Sequence, residues 1–466
     1  VLVHEDARLI HAPSGEVLRG AQLGTAVRRR ADELADLPPG VVFLRASTEL
    51  SSVLDYLGAI AAGRSIALLD PSLEETLLAG LLERFRPAAL LGAVGVPPIA
   101  GYYPDGEGRT WLREATEGVV PHPELAVLLP TSGTTGNPKL VRLSRRAVLH
   151  NAETIGKVLG IADTDVAPTS LPLHYSYGLS VLNSHLMRGA AVLLHPEGLF
   201  ARSFWDAVGE YEVTTFAGVP YHYEMLRKLR FDPARYPSLR TLTQAGGRMR
   251  VELVEEFHAK MRAVGGRLFV MYGQTEAAPR MATVPAERLP DKVGSVGCAL
   301  PDGAFSIKRA DGNETTHPGI GGEVVYRGPN VMMGYADQEA ELGEGDQLAG
   351  VLHTGDLGYL DEDGYLFITG RLKRIGKIFG NRVNLDDLEQ LVREADLGVD
   401  EVAVVAGADK VVVWLAGAAE QSCQSAAHTL ADRLHLHIRG FDVRSVDALP
   451  LRSNGKIDYP ELEARG

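Results

Sequence analysis

The stretch Thr131, Ser132, Gly133, Thr134, Thr135, Gly136, Asn137, Pro138 and Lys139 carries four hydroxyls in its first five positions, two glycines and a closing lysine. Backbone N–H groups in a glycine turn form a nest for an anion, and hydroxyls and an ammonium add donors to it. Phosphate is the anion that suits such a set. The stretch fails the nucleotide-hydrolase template GxxxxGK[ST]. Two residues separate Gly136 from Lys139, one of them proline, and Leu140 stands where a magnesium-holding hydroxyl belongs. The lysine carries weight of its own. Only ten of the 47 basic residues are lysine, and Lys139 is the first of them. Arginine is a rigid fork, whereas lysine is a compact point charge on a flexible stem.

Further stretches add other groups. MYGQTE at 271–276 puts a ring, a hydroxyl and a carboxylate after the apolar RLFVM, at the end of a strand where α/β proteins bind ligands. HTGD at 353–356 sets Asp356 among glycines, GRLKRIGKIFGNRVNLDDLE spans 370–389, and NGKIDYPELE at 454–463 places Lys456 on a turn. With PTSGTTGNPK, and in this order, they resemble the motifs of the adenylate-forming synthetases: acyl-CoA ligases, adenylation domains of peptide synthetases, and luciferases. The resemblance runs from residue 130 to residue 463.

The resemblance implies two reactions in one site. A carboxylate attacks the α-phosphate of ATP, giving an acyl-AMP anhydride and pyrophosphate, and the acyl group then passes to a thiol. Positioning and charge neutralisation supply most of such catalysis. By the same resemblance, residues 131–136 and Lys139 hold the β- and γ-phosphates, Tyr272 covers adenine, Thr275 reaches phosphate and Glu276 holds Mg²⁺. Asp356 accepts the ribose hydroxyls, Arg371 adds a ribose or phosphate contact, and Lys456 bridges the attacking carboxylate and the α-phosphate. Lys373 is the hinge of a mobile C-terminal domain, and Gly380 lies by the pantetheine tunnel. The expected small molecules are ATP, Mg²⁺ and coenzyme A, with a carrier-protein phosphopantetheine as the other acceptor. A carrier-loading ligase, a luciferase-like oxidase and a non-catalytic adenylate-binding protein are the competing readings.

Two departures bear on the substrate. Arg374 and Gly376 stand where the family often has an acidic and a β-branched residue, leaving Arg374 to a phosphate of the thiol donor or to the surface. LPLHYSYGLS at 171–180 corresponds to the segment leading into the acyl pocket, where amino-acid-activating relatives carry an aspartate; none occurs here. An unpaired ammonium is expensive to bury, so an acid without an α-amine is expected. His174 or Tyr175 fills the gate of the carboxylate site, and His174 joins Lys456 and Thr275 as an expected catalytic residue. The expected acyl pocket comprises Tyr175, Gly218, Gln244, Gly246, Gly273, Ala277 and Arg280, its glycines leaving room for a ring or chain. Gln244 and Arg280 add polarity that a plain long-chain fatty acid does not require. The expected acid is aromatic, short to medium, or functionalised.

These groups need elements to hold them. VVFL, SIALLD, AALLG and ELAVLLP alternate with helical periods at SSVLDYLGAIAAG and EETLLAGLLERFRP, and LSRRAVLHNAETIGKVLG is a further helix. AAVLLH, VTTFAG, TLTQAG and RLFVMYG continue the strands. This rhythm predicts an α/β fold with parallel-sheet subdomains. From about Gly294, glycine turns separate GAFSIKR, GGEVVYRG and GYLFITG, which predict a small antiparallel, barrel-like subdomain. Beyond residue 370 an α+β pattern follows. The expected division is a core at 1–370, a hinge at 371–373 and a mobile cap at 374–466. Among 466 residues 45% are hydrophobic, ample for a large core, and the net charge of -13 disfavours a nucleic-acid surface. Two cysteines are too few for a disulfide framework. With no signal-peptide pattern and no membrane-spanning run, a cytoplasmic location is expected.

Overall fold

The computed structural model describes residues 2–130, 138–372, 374–379, 381–395, 397–399, 401–407, 409–452 and 455–466. The chain divides into two compact units, residues 1–304 with 327–352, and residues 305–326 with 353–466.

Among the described residues the first unit holds three sheets. In the eight-stranded one, Leu125–Pro130, Ile66–Leu69, Val42–Arg45 and Ala89–Leu91 lie side by side and parallel. Their side chains are almost all buried, as parallel strands covered on both faces require. The helix Glu75–Phe85 closes one face with Leu78, Leu81, Leu82 and Phe85, the last 6.0 Å from the Phe43 ring. Antiparallel strands flank this parallel centre on both sides. A second, five-stranded sheet runs Thr215–Gly218, Thr241–Gln244 and Arg267–Gly273 in parallel, then turns back antiparallel at Arg280–Val284.

One strand escapes the periodicity. Leu140–Ser144 pairs antiparallel with Leu125–Pro130, Pro130 opposite Leu140, so residues 131–139 are bracketed by two partners in one sheet. The apolar period runs straight on into the helix Arg145–Leu159, which hides the strand in the sequence. Ser144 marks the change: its Oγ accepts the Ala147 N–H at 3.0 Å as an N-cap, and Gly160 closes the helix at φ 64.

Arg142, at the middle of that short strand, is wholly buried. Burial works against its charge, and its guanidinium donates instead to the carbonyls of Tyr335, Glu344, Met333 and Gly345 at 2.6–3.4 Å. The segment Gly334–Ala336 adds to the sheet edge beside it, Tyr335 opposite Val141.

The second unit contains a five-stranded sheet that includes Ala304–Lys308, Gly322–Arg327, Val351–Leu360 and Leu366–Arg371. It continues with the hairpin Ile375–Ile378 and Asn381–Asn384, then the helix Leu385–Glu394, whose N-cap Asn384 accepts the Asp386 N–H at 2.9 Å. Glu401–Ala406, Val411–Ala416 and Phe441–Val446 form a three-stranded sheet, packed by Leu388 and Val392 of that helix and by Leu430 of the helix Glu420–Leu434. Among the described residues no helix is long and apolar enough to cross a membrane, and Cys298 and Cys423 are not joined in a disulfide.

Replacing Arg142 with Met should leave several buried carbonyls without donors. We expect the variant to lose about 2–4 kcal/mol of unfolding free energy in urea titrations. Wild-type stability in the variant would show that the anchor is not needed.

Candidate active site

In the first unit, Tyr272 and Gly273 end the strand Arg267–Gly273, and a turn of 3₁₀ helix carries Thr275 and Glu276. Glu276 is held from two directions. Its carbonyl accepts the Met332 N–H at 2.9 Å, and its carboxylate accepts the Tyr335 hydroxyl at 2.9 Å. The Thr275 hydroxyl lies 3.1 Å from the Ser176 hydroxyl, at the start of the helix Ser176–Met187. Lys139 is exposed, two residues beyond the undescribed part of the loop, and its Nζ lies 2.7 Å from Asp337. Tyr335 and Asp337 belong to the segment that Arg142 anchors, so one backbone stretch meets both the carboxylate and the lysine.

His174 sits just ahead of Ser176. Its Nε2 lies 3.3 Å from Asp70, which follows the strand Ile66–Leu69. Burial alone would push the Asp70 carboxyl up, but the His174 ring and the Ser72 hydroxyl and N–H hold it well below the usual carboxylate range. Tyr175 is buried, and burial pushes its hydroxyl well up.

At three glycines of the expected acyl pocket the Cβ position is taken by protein. A Cβ at Gly246, where φ is +86, would lie 2.4 Å from the Tyr175 hydroxyl, and one at Gly273 would lie 2.0 Å from the Pro279 carbonyl. The space is already taken by protein. A Cβ at Gly218 would likewise come within 2.9 Å of the Tyr223 ring. Gln244 is buried and donates to the Gly247 carbonyl at 2.8 Å, Ala277 is buried, and Arg280 is buried against the Tyr177 ring.

In the second unit, Asp356 is buried and stands opposite Arg371 in the strand register, with Arg371 Nε 3.2 Å from its carboxylate. The Thr354 hydroxyl accepts the Asp356 N–H at 3.1 Å and itself donates to the Val324 carbonyl at 2.7 Å. Lys456 is exposed on a tight turn, where the Arg452 N–H donates to its carbonyl at 2.8 Å and Leu451 bridges Ile457.

Arg374 is neither a surface group nor open to a donor phosphate. Its guanidinium is paired with Asp386 and with Glu389 at 2.8 Å, donates to the Val404 carbonyl, and lies 3.9 Å from the centre of the Tyr459 ring. Burial works against its charge, yet Glu389 and Asp386 raise its affinity for the proton. The Tyr459 hydroxyl donates to Glu389 at 3.1 Å. This buried knot ties down the chain three residues beyond Lys456.

Thr131, Ser132, Gly133, Thr134, Thr135 and Gly136, with Lys373 and Gly380, lie outside the described residues. Asp70, Tyr335 and Asp337 were not found from the sequence. Each is an ordinary polar residue until the sheet brings it beside a motif far away in the chain. Among the described residues no group of three or more His, Cys, Asp or Glu is placed to hold a metal ion. One oriented carboxylate suits Mg²⁺, which commonly takes one or two protein carboxylates and fills its remaining positions with phosphate and water.

A model of the family "AMP-binding enzyme" matches residues 4–336. The indoleacetate–CoA ligase of Aromatoleum aromaticum is 33% identical over 347 residues, 72% of this chain and 66% of that one. The 4-coumarate–CoA ligase 2 of Oryza sativa is 31% identical over 386 residues, 78% of this chain and 67% of its own. This chain therefore spans about two thirds of those relatives. The Bacillus subtilis O-succinylbenzoate coenzyme A synthetase, solved with ATP and a magnesium ion, superposes at a TM-score of 0.78 with 25% identity, over 98% of this chain and 96% of that one. ATP-bound MatB from Rhodopseudomonas palustris superposes at 0.80 with 24% identity, over 99% and 96%, a likeness of fold.

The Asp70 carboxylate should stabilise the fold above the ordinary aspartate value near 4 and lose that contribution as pH falls through its own lowered value. Asp70→Asn should cost about 1 kcal/mol at pH 7. The gap from wild type should close as pH drops below about 4, in urea melts at several pH values. A gap that stays constant with pH would contradict the assignment.

Proposed function

The chain belongs to the family of AMP-binding enzymes, and on that premise we propose that it is an ATP-dependent acid–thiol ligase. It activates a carboxylic acid without an α-amine as acyl-AMP, releases pyrophosphate, and passes the acyl group to coenzyme A. The observation that carries this reading is the grouping around Glu276. An oriented carboxylate and one of two hydroxyls in contact follow the end of the strand Arg267–Gly273, and a lysine directly precedes the strand Leu140–Ser144. The names of the two relatives above, both CoA ligases, support coenzyme A as the acceptor.

In this reading the loop at 131–136 and Lys139 take the β- and γ-phosphates. Asp337 now occupies the lysine, but exposed ion pairs are weakly held, so phosphate displaces it easily. Glu276, oriented by Tyr335, would hold Mg²⁺, which neutralises phosphate charge when bound. Thr275 donates to phosphate, and Tyr272 covers the adenine. The buried Asp356 accepts the ribose hydroxyls, with Arg371 beside it. His174, kept in place by Asp70, and Tyr175 form the gate through which the carboxylate reaches the α-phosphate. Lys456 supplies a positive charge between the attacking oxygen and the α-phosphate as negative charge gathers there. Residues 374–466 turn about Lys373 after adenylation, bringing Gly380 to the pantetheine arm, a rearrangement typical of hinged enzymes.

ATP–pyrophosphate exchange across a panel of acids, followed by thioester detection with coenzyme A, tests the reading; no exchange with any acid would refute it. Lys456→Ala should lower adenylate formation at least about 100-fold, with thioester formation from supplied acyl-AMP nearly unchanged. Equal loss of both half-reactions would remove Lys456 from the role assigned to it.

A further inference from the structure

Arg84 takes no part in the reaction as described, yet all three of its side-chain nitrogens are committed beside Lys139. It lies in the last turn of the helix Glu75–Phe85. Leu81, Leu82 and Phe85 of that turn are buried in one core with Phe43, Leu69 and Leu128 of the parallel strands. Packing therefore fixes the backbone that carries Arg84. Its Nε donates to the Gly80 carbonyl in the same helix at 3.3 Å. Nη1 donates to the Asp337 carbonyl at 3.0 Å and Nη2 to the Pro138 carbonyl at 3.2 Å. One planar fork thus joins the helix to two stretches of chain that lie 54 and 253 positions away.

The Pro138 carbonyl belongs to the peptide unit that also supplies the Lys139 N–H. Asp337 is the residue whose carboxylate holds the Lys139 ammonium at 2.7 Å. Arg84 therefore grips the main chain on both sides of that ion pair. The two kinds of contact respond differently to phosphate. The ion pair is exposed and weak, and it opens when Lys139 turns to an anion. The Arg84 bonds go to main-chain carbonyls, which carry no net charge and keep their donor when phosphate arrives. With the pair open, the backbone of Lys139 stays beside the anchored segment through these bonds and through the pairing of Leu140 with Ala336. A lysine stem is flexible, so where its ammonium can rest depends on where its backbone is held.

We propose that Arg84 is a positioning residue for Lys139. It fixes the main chain from which the lysine reaches the β- and γ-phosphates, and it acts only through those carbonyls. The proposal rests on the ligase reading above and goes beyond it, because it gives that reaction a residue from a helix with no motif. Its consequence is selective. Adenylate formation uses the β- and γ-phosphates and needs Arg84. Thioester formation starts from acyl-AMP, which has neither phosphate, and does not.

The test measures the two half-reactions separately in Arg84→Met and Arg84→Lys variants of the whole chain. Arg84→Met keeps an unbranched apolar stem and removes the fork. It should raise KM for ATP, and weaken inhibition by pyrophosphate, each on the order of 10-fold. KM for the acid, and thioester formation from supplied acyl-AMP and coenzyme A, should stay at wild-type values. Arg84→Lys, which has donors but no fork, should recover part of the loss. A wild-type KM for ATP in a folded Met variant overturns the proposal. An equal fall in both half-reactions overturns it as well, because Arg84 would then serve the fold alone. Should the Met variant not fold, the Lys variant decides by the same comparison: a loss confined to the ATP-dependent half supports the role, and a shared loss removes it. These outcomes leave the ligase reading standing, whereas absence of exchange with every acid in wild type defeats that reading itself.

Discussion

The first unit's site depends on a buried guanidinium bound to carbonyls. Arg142 draws the backbone of residues 333–345 against a five-residue strand. That strand is itself the partner of the one leading into the hydroxyl-rich loop. From the anchored segment Tyr335 reaches the Glu276 carboxylate and Asp337 reaches Lys139. A charge inside a protein demands donors and acceptors around it. Here the demand is met by main chain, so the contact fixes the position of that segment.

Rigidity and exchange are divided between buried and exposed pairs. The pairs meant to be given up, such as Lys139 with Asp337, are exposed and weak. Those meant to last are buried. In the second unit Glu389 gathers Arg374, Arg393, the Val404 N–H and the Tyr459 hydroxyl. The arginine that replaces the family's usual acidic residue after Lys373 is thus balanced by carboxylates one helix away, and the local charge pattern is inverted rather than lost. Part of the cost of burying it is offset because the Glu389 carboxylate also accepts from Arg393, the Val404 N–H and the Tyr459 hydroxyl.

Much of the fold was legible because its strands are short apolar runs and its helices keep a clean period. Leu125–Pro130, Ile66–Leu69 and the helix Glu75–Phe85 fall where the pattern put them. Leu140–Ser144 did not, because one apolar stretch serves strand and helix in turn and only a capping serine divides them. The pocket glycines carry a related ambiguity. A glycine declares that no Cβ fits, but not whether a ligand or a neighbouring side chain takes the space, and at Gly246 it is the Tyr175 hydroxyl.

The sequence by itself determined the family, and it named the groups proposed for the site: the hydroxyl loop, Glu276, Asp356, Lys456 and an acyl segment with no aspartate to hold an ammonium. These sit in contiguous motifs, where composition and spacing are enough. Only the tertiary structure decided which groups stand beside them. Asp70 against His174, Tyr335 against Glu276 and Arg280 against the Tyr177 ring are contacts between residues far apart in the chain. Burial and the presence or absence of a partner belong to the packed chain, and one residue's identity cannot encode them.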